Sequence, residues 1–129
     1  MSEKKIELVP VQSLLHIEGH SKKRVLWLTE KILEEQIWTK PIAIDDEYNL
    51  VLDGQHRMEV AKKLGFTLIP AIRYAYSDVK VWSLRPNYDF DWKLVVSRAL
   101  THDIYPYKTV KHEFPEPLPS CLISLKDLA

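Results

Sequence analysis

Leu50-Val51-Leu52-Asp53-Gly54-Gln55-His56-Arg57 is where this chain turns from a strand into a helix. Three apolar residues run into an Asp-Gly corner, and polar residues then take the places of a first helical turn. The stretch predicts a buried strand, a sharp corner, and a helix from Gln55 to about Leu64 with Gly65 as its C-terminal cap. A helix N-terminus carries unpaired N–H groups and a partial positive charge, so it suits an anion. Gly54 lets the backbone approach a phosphate with no Cβ in the way. Arg57 adds a forked donor and His56 a further one. Asp53 is the odd member, since a carboxylate repels phosphate unless a metal ion bridges the two. The same residues also fit an ordinary corner in which Asp53 caps the helix and Arg57 pairs with a nearby carboxylate. Gly-Gln-His-Arg is not a Walker loop, so the regular phosphate motifs do not apply.

Upstream, Leu50 to Leu52 reads as the return strand of a hairpin whose first strand is Ile42 to Ile44, joined by the charged turn Asp45 to Tyr48. Before it, Ser21 is placed to cap a helix reaching about Gln36, with Val25, Leu28, Ile32 and Leu33 at helical spacing and Lys31, Glu34 and Glu35 facing water. Trp38 and Pro41 end it. Ile6 to Val9 is a short strand stopped by Pro10, and Leu14 to His20 is a connecting loop. Downstream come strands at Leu68 to Tyr74 and Lys80 to Leu84, then a third helix from Asp91, its cap, through Leu100. The tail from His102 is rich in Pro and Tyr, with Cys121 to Leu125 as a last strand. Strands alternating with helices imply a compact mixed α/β (α+β) domain, a small mixed sheet with about three helices.

The chain has 129 residues, 18 Lys+Arg, 18 Asp+Glu and 46% hydrophobic residues. That length suits one domain over 1–129, and the composition suits a soluble globule rather than a disordered chain. Zero net charge argues against a dedicated nucleic-acid binder, though a local basic pocket remains compatible with it. The lone Cys121 can make neither an internal disulfide nor a multi-thiolate zinc site, which points to a reducing, cytoplasmic setting. No apolar run approaches the ~20 residues of a membrane span, and the charged start, Met1 to Glu7, leads into no signal-peptide core. His16 and His20 are a candidate metal pair, a weak signal as two loop histidines. Trp27, Trp38 and Trp92 read as packing residues. Lys22, Lys23 and Arg24 open a helix against its dipole, a hint of an anion nearby.

Asp53-Gly54-Gln55-His56-Arg57, followed by Ala61-Lys62-Lys63-Leu64-Gly65 and Ile69-Pro70, resembles the signature of the ParB/sulfiredoxin superfamily, whose usual form is Asp-Gly-His-His-Arg. Ile37-Trp38-Thr39-Lys40-Pro41-Ile42, Val79-Lys80-Val81-Trp82 and Leu125-Lys126-Asp127-Leu128 match further segments in order. Tyr107-Lys108-Thr109-Val110-Lys111-His112 resembles the Lys-Thr-Thr-Arg-His tail motif of the free serine kinase branch, in a short form lacking that branch's inserted region. Gln55 stands where the motif has its first His, and Val110 and Lys111 replace a Thr and an Arg.

The resemblance implies a nucleotide-dependent phosphotransferase that uses ATP or ADP with Mg²⁺ to phosphorylate free L-serine or a similar small hydroxyl metabolite. It implies Glu18 as general base and Asp53 beside the transferred phosphoryl group, organising Mg²⁺ indirectly. Gly54, Gln55, His56 and Arg57 would hold the nucleotide phosphates. Thr109, Lys111 and His112 would bind phosphate or the amino acid, with the tail 102–129 closing the site and Trp82 as a pocket wall. The alternative within the superfamily is a non-catalytic ParB-like nucleotide-binding regulator or DNA-associated module, against which stand the neutral charge and the lack of a following helix-turn-helix. Sulfiredoxin chemistry needs a thiolate at the phosphate turn, where this chain has Gln55. Oligomeric state stays open.

Overall fold

The computed structural model describes residues 5–129, so the first four residues of the charged start lie outside it. Four strands form the main sheet in the order β1-β5-β3-β4: β1 (Glu7–Pro10), β3 (Ile42–Asp45), β4 (Val51–Asp53) and β5 (Leu68–Tyr74). β3 and β5 run parallel, while β1 on β5 and β4 on β3 are antiparallel, so the sheet is mixed. Pro10 sits on the edge strand, where its missing N–H costs no ladder bond. The sheet is buried on both sides along β3, β4 and β5, which are apolar at successive positions, whereas the edge strand β1 buries only Val9. Ile42, Ile44 and Val51 enter one core with helices α1 (Lys22–Glu35) and α2 (Gln55–Lys63). Ala43, Leu50 and Leu52 enter a second core with α3 (Trp92–Leu100), Tyr76 and Tyr105. Three helices and a mixed sheet bear out the expected α+β class.

The caps explain the helix bounds. Ser21 accepts from the Arg24 N–H, and Asp91 accepts from the Leu94 N–H. In α1 the buried positions are Val25, Thr29 and Ile32, and Leu33, expected to be apolar packing, is exposed. Thr29 is tolerated there because its hydroxyl donates to the Val25 carbonyl.

The hairpin turn differs from the expected charged turn in one respect. Asp45 is buried, and its carboxylate accepts from the backbone N–H groups of Glu47, Tyr48 and Leu50. It closes the turn from inside, as an Asx residue does.

Two short sheets were not expected from the sequence. β2 (Ile37–Trp38) pairs with β8 (Ile123–Ser124), so Trp38 does not merely end a helix but ties the last residues of the chain to the first core. β6 (Lys80–Ser83) pairs antiparallel with β7 (Val110–Glu113), which puts Val110, Lys111 and His112 of the tail motif on a strand, with Lys108 and Thr109 in the turn that leads into it. No helix among the described residues is long and apolar enough to cross a membrane.

Candidate active site

β4 delivers Asp53 to the corner, and Gly54 makes the corner possible. Its φ is +115°, and a Cβ there would overlap the Ile42 side chain, 2.9 Å from the Ile42 Cβ. No side chain caps α2, so Asp53 is not the helix cap, and the first-turn N–H groups of α2 keep their anion-binding character. Arg57 turns back over this corner, with Nη2 3.2 Å from the Pro41 carbonyl and 3.5 Å from the Asp53 carboxylate. Its Nε is buried with no hydrogen-bond partner.

Two clefts meet at this corner. One, of about 280 Å³, lies between α1 and the corner and is lined by Arg24, Trp27, Lys31, Trp38, Lys40 and Arg57 among others. The other, of about 180 Å³, is lined by Glu18, Gln55, Val110, Lys111, His112 and Phe114. Asp53, Gly54 and His56 line both. The larger cleft carries four cationic side chains (Arg24, Lys31, Lys40, Arg57) against the two carboxylates of Glu35 and Asp53, beside an apolar wall of Trp27, Leu28 and Ile32. The sequence reading missed most of this wall. Arg24, the neighbours Trp27 and Leu28, Lys31 and Glu35 fall three to four residues apart along the helix, so they form one stripe of α1. Trp27, read as packing, is 56% exposed, with the Lys31 ammonium 5.4 Å from its ring centroid.

Glu18 is held by the tail. Its Oε1 accepts from the backbone N–H groups of Thr109 (3.1 Å) and Val110 (2.8 Å), and its own backbone bridges to Tyr105. Burial pushes its carboxyl above the usual range, against the lowering effect of those two N–H groups and of Arg85. Thr109 is fully buried and donates its hydroxyl to the Pro106 carbonyl, so its side chain does not face the cleft; its contribution is the N–H on Glu18.

The histidines take different places. His56 Nε2 accepts from the Ser21 N–H, which leaves the proton of the neutral ring on Nδ1 as a donor. Burial and the neighbouring Arg24 lower its pKa to about 4, so it is a neutral donor rather than a cation. His112 lines the smaller cleft, yet its Nε2 is 2.7 Å from the Tyr76 hydroxyl and the ring shares a backbone hydrogen bond with Leu52. Burial holds it near pKa 4, so it too is neutral.

Gln55 borders the smaller cleft, but its side-chain amide is already engaged. The amide is buried, donating to the Val51 carbonyl and accepting from His16 Nδ1, and only its backbone N–H belongs to the helix terminus. Lys111 lines the smaller cleft and is exposed. Trp82 is its cross-strand partner, 42% exposed, and lines neither cleft. The tail divides: Tyr105 to Phe114 packs around Glu18 and the smaller cleft, whereas Leu125 and Leu128 return to the first core.

No protein-family model matches the chain. Over 79 residues it is 38% identical to an ATP-dependent L-serine kinase of Staphylothermus marinus, a match covering 57% of this chain and 31% of that protein. Over 99 residues it is 33% identical to an ATP-dependent L-serine kinase of Desulfurococcus mucosus, covering 71% of this chain and 38% of that one. The chain thus spans about a third of the length of these curated relatives. A solved free serine kinase in complex with AMP superposes with a TM-score of 0.88 at 13% identity, over 99% of this chain and 95% of that chain. The two clefts, the glycine corner and the tail strand are therefore set in a chain that has the fold of the free serine kinases.

Proposed function

We propose that this chain is a phosphotransferase that moves a phosphoryl group from an adenine nucleotide, ATP before ADP, to the hydroxyl of free L-serine or a similar small hydroxyl metabolite. The observation that carries this reading is the pair of clefts sharing Asp53, Gly54 and His56, with a carboxylate base in one and a basic, aromatic-walled groove in the other. A donor and an acceptor bound in adjoining clefts bring their reacting atoms together at the shared corner, as in-line phosphoryl transfer requires. Likeness to the ATP-dependent L-serine kinases supports the same choice of donor and acceptor.

The nucleotide occupies the larger cleft, its base against Trp27 and its phosphates on the N–H groups of α2, Arg57 and the His56 Nδ1–H. The acceptor lies in the smaller cleft. Glu18 takes the hydroxyl proton as the oxygen attacks phosphorus. With Oε1 fixed by two N–H groups, Oε2 is the oxygen free to receive it, and desolvation makes the carboxylate a stronger base. Lys111 offsets the charge that gathers on the phosphoryl oxygens. Thr109 and His112 act at one remove, by holding Glu18 and the strand that borders the cleft. Asp53, half-exposed at the meeting of the clefts, suits a hard, mostly water- and phosphate-coordinated Mg²⁺, which would neutralise phosphate charge.

Incubation with ATP or ADP against a panel of hydroxyl amino acids, followed by phosphorus NMR, tests the reading. Phosphoserine is the expected product. Nucleotide binding with no phosphorylated product from any acceptor would overturn it in favour of a nucleotide-binding regulator.

A further inference from the structure

His16 and His20 flank Glu18 in the sequence, and the fold brings both against Glu59 of α2. His16 Nε2 lies 2.7 Å from Glu59 Oε2, and His20 Nε2 lies 3.7 Å from Glu59 Oε1. The two imidazoles stack at 5.4 Å, and one ligand atom from each of the three residues falls within 4.8 Å of the others. We propose that His16, His20 and Glu59 form a binding site for one divalent transition-metal ion of the zinc class, separate from the phosphate clefts.

The donor set carries the choice of ion. Two imidazole nitrogens and one carboxylate suit Zn²⁺ and its neighbours rather than Mg²⁺ or Ca²⁺, and three protein ligands leave one position for water. Tetrahedral bonds of about 2.0–2.2 Å need ligand atoms roughly 3.3 Å apart, which side-chain shifts of about 1 Å supply here. A second observation is the buried amide behind His16. Gln55, 6% exposed, donates to the Val51 carbonyl and so turns its oxygen to His16 Nδ1. That bond fixes the imidazole with Nε2 toward Glu59, the outer-shell support that metal-binding histidines need. It also gives a purpose to a side chain that the phosphate clefts do not use. Lys62, 3.5 Å from Glu59 Oε2, is the cation an ion would displace.

The consequence is mechanical. The ion would tie both ends of the 16–20 loop, and so Glu18, to the helix that begins at the phosphate corner. The inference does not rest on the kinase reading, and its test needs no nucleotide.

Chelator-treated full chain is titrated with ZnCl2 by calorimetry and with CoCl2 by visible absorption, and imidazole nitrogen NMR of the parent reads which rings coordinate. One equivalent is expected, with the intense visible bands of a tetrahedral Co²⁺ site and shifted His16 Nε2 and His20 Nε2 resonances. The double variant His20→Ala/Glu59→Gln should lose that equivalent. Gln55→Leu should weaken it by about 10- to 100-fold. Lys62→Ala should bind no less tightly. An apoprotein that takes up neither ion, unshifted His16 and His20 resonances, or undiminished binding by the double variant would each overturn the proposal.

Discussion

His112 makes a prediction that can be worked from its surroundings. An unfolded histidine titrates near 6.5, whereas burial beside Tyr76, aided by the Lys111 charge and only partly opposed by a backbone hydrogen bond with Leu52, lowers this one to about 4. Between those values the unfolded chain binds a proton that the folded chain refuses. Stability therefore rises with pH: the neutral ring's contribution is intact above about 6.5 and is lost as the pH falls toward 4. A difference of about 2.5 units at 1.36 kcal/mol each is on the order of 3 kcal/mol, a large part of an ordinary domain's 5–15 kcal/mol. Urea unfolding at pH 7.5 and pH 4.5, for the parent and for His112→Gln, isolates the effect, because all other titrating groups are common to both. The parent should lose about 2.5 kcal/mol more than the variant over that interval, the rest of the effect lying below pH 4.5. Equal losses in the two proteins would refute the reasoning and mean that His112 takes up its proton without cost to the fold.

Three further outcomes are expected. Gly54→Ala must adopt φ near +115° and overlap Ile42, so it should lose about 2–5 kcal/mol by urea unfolding and bind nucleotide poorly; a wild-type midpoint would contradict this account of the corner. Trp27→Ala removes an exposed aromatic wall and should weaken adenine nucleotide binding ~10-fold by calorimetry at nearly unchanged stability. Arg85→Gln removes a charge that lowers the Glu18 carboxyl, so the acid limb of the kcat/KM profile should move to higher pH.

Much of the fold was legible because local signals were strong. Ser21 and Asp91 cap where helix caps were expected, and the fifth strand has the expected bounds, Leu68 to Tyr74. The Asp53-Gly54 corner was legible for the same reason, since a left-handed residue between an apolar strand and a helix leaves few other choices. The second and seventh strands were not, because each exists only through its pairing with a segment distant in sequence. The same limit explains the site. Glu18 and the tail motif came from resemblance, and only the fold shows that Thr109 acts through its backbone while its hydroxyl is turned away. Gln55 reads as a phosphate ligand by position, yet its amide packs inward against Val51 and His16. Trp27 reads as packing, but its face of α1 lines an open cleft.

Glu18→Gln tests the central claim most directly, because the amide keeps an oxygen for the Thr109 and Val110 N–H groups while losing the capacity to take a proton. With saturating ATP and serine, followed by phosphorus NMR and calorimetry on the same preparation, phosphoserine formation should fall by about 10²- to 10⁴-fold with nucleotide affinity unchanged. A variant that makes phosphoserine at the parent's rate would contradict the account.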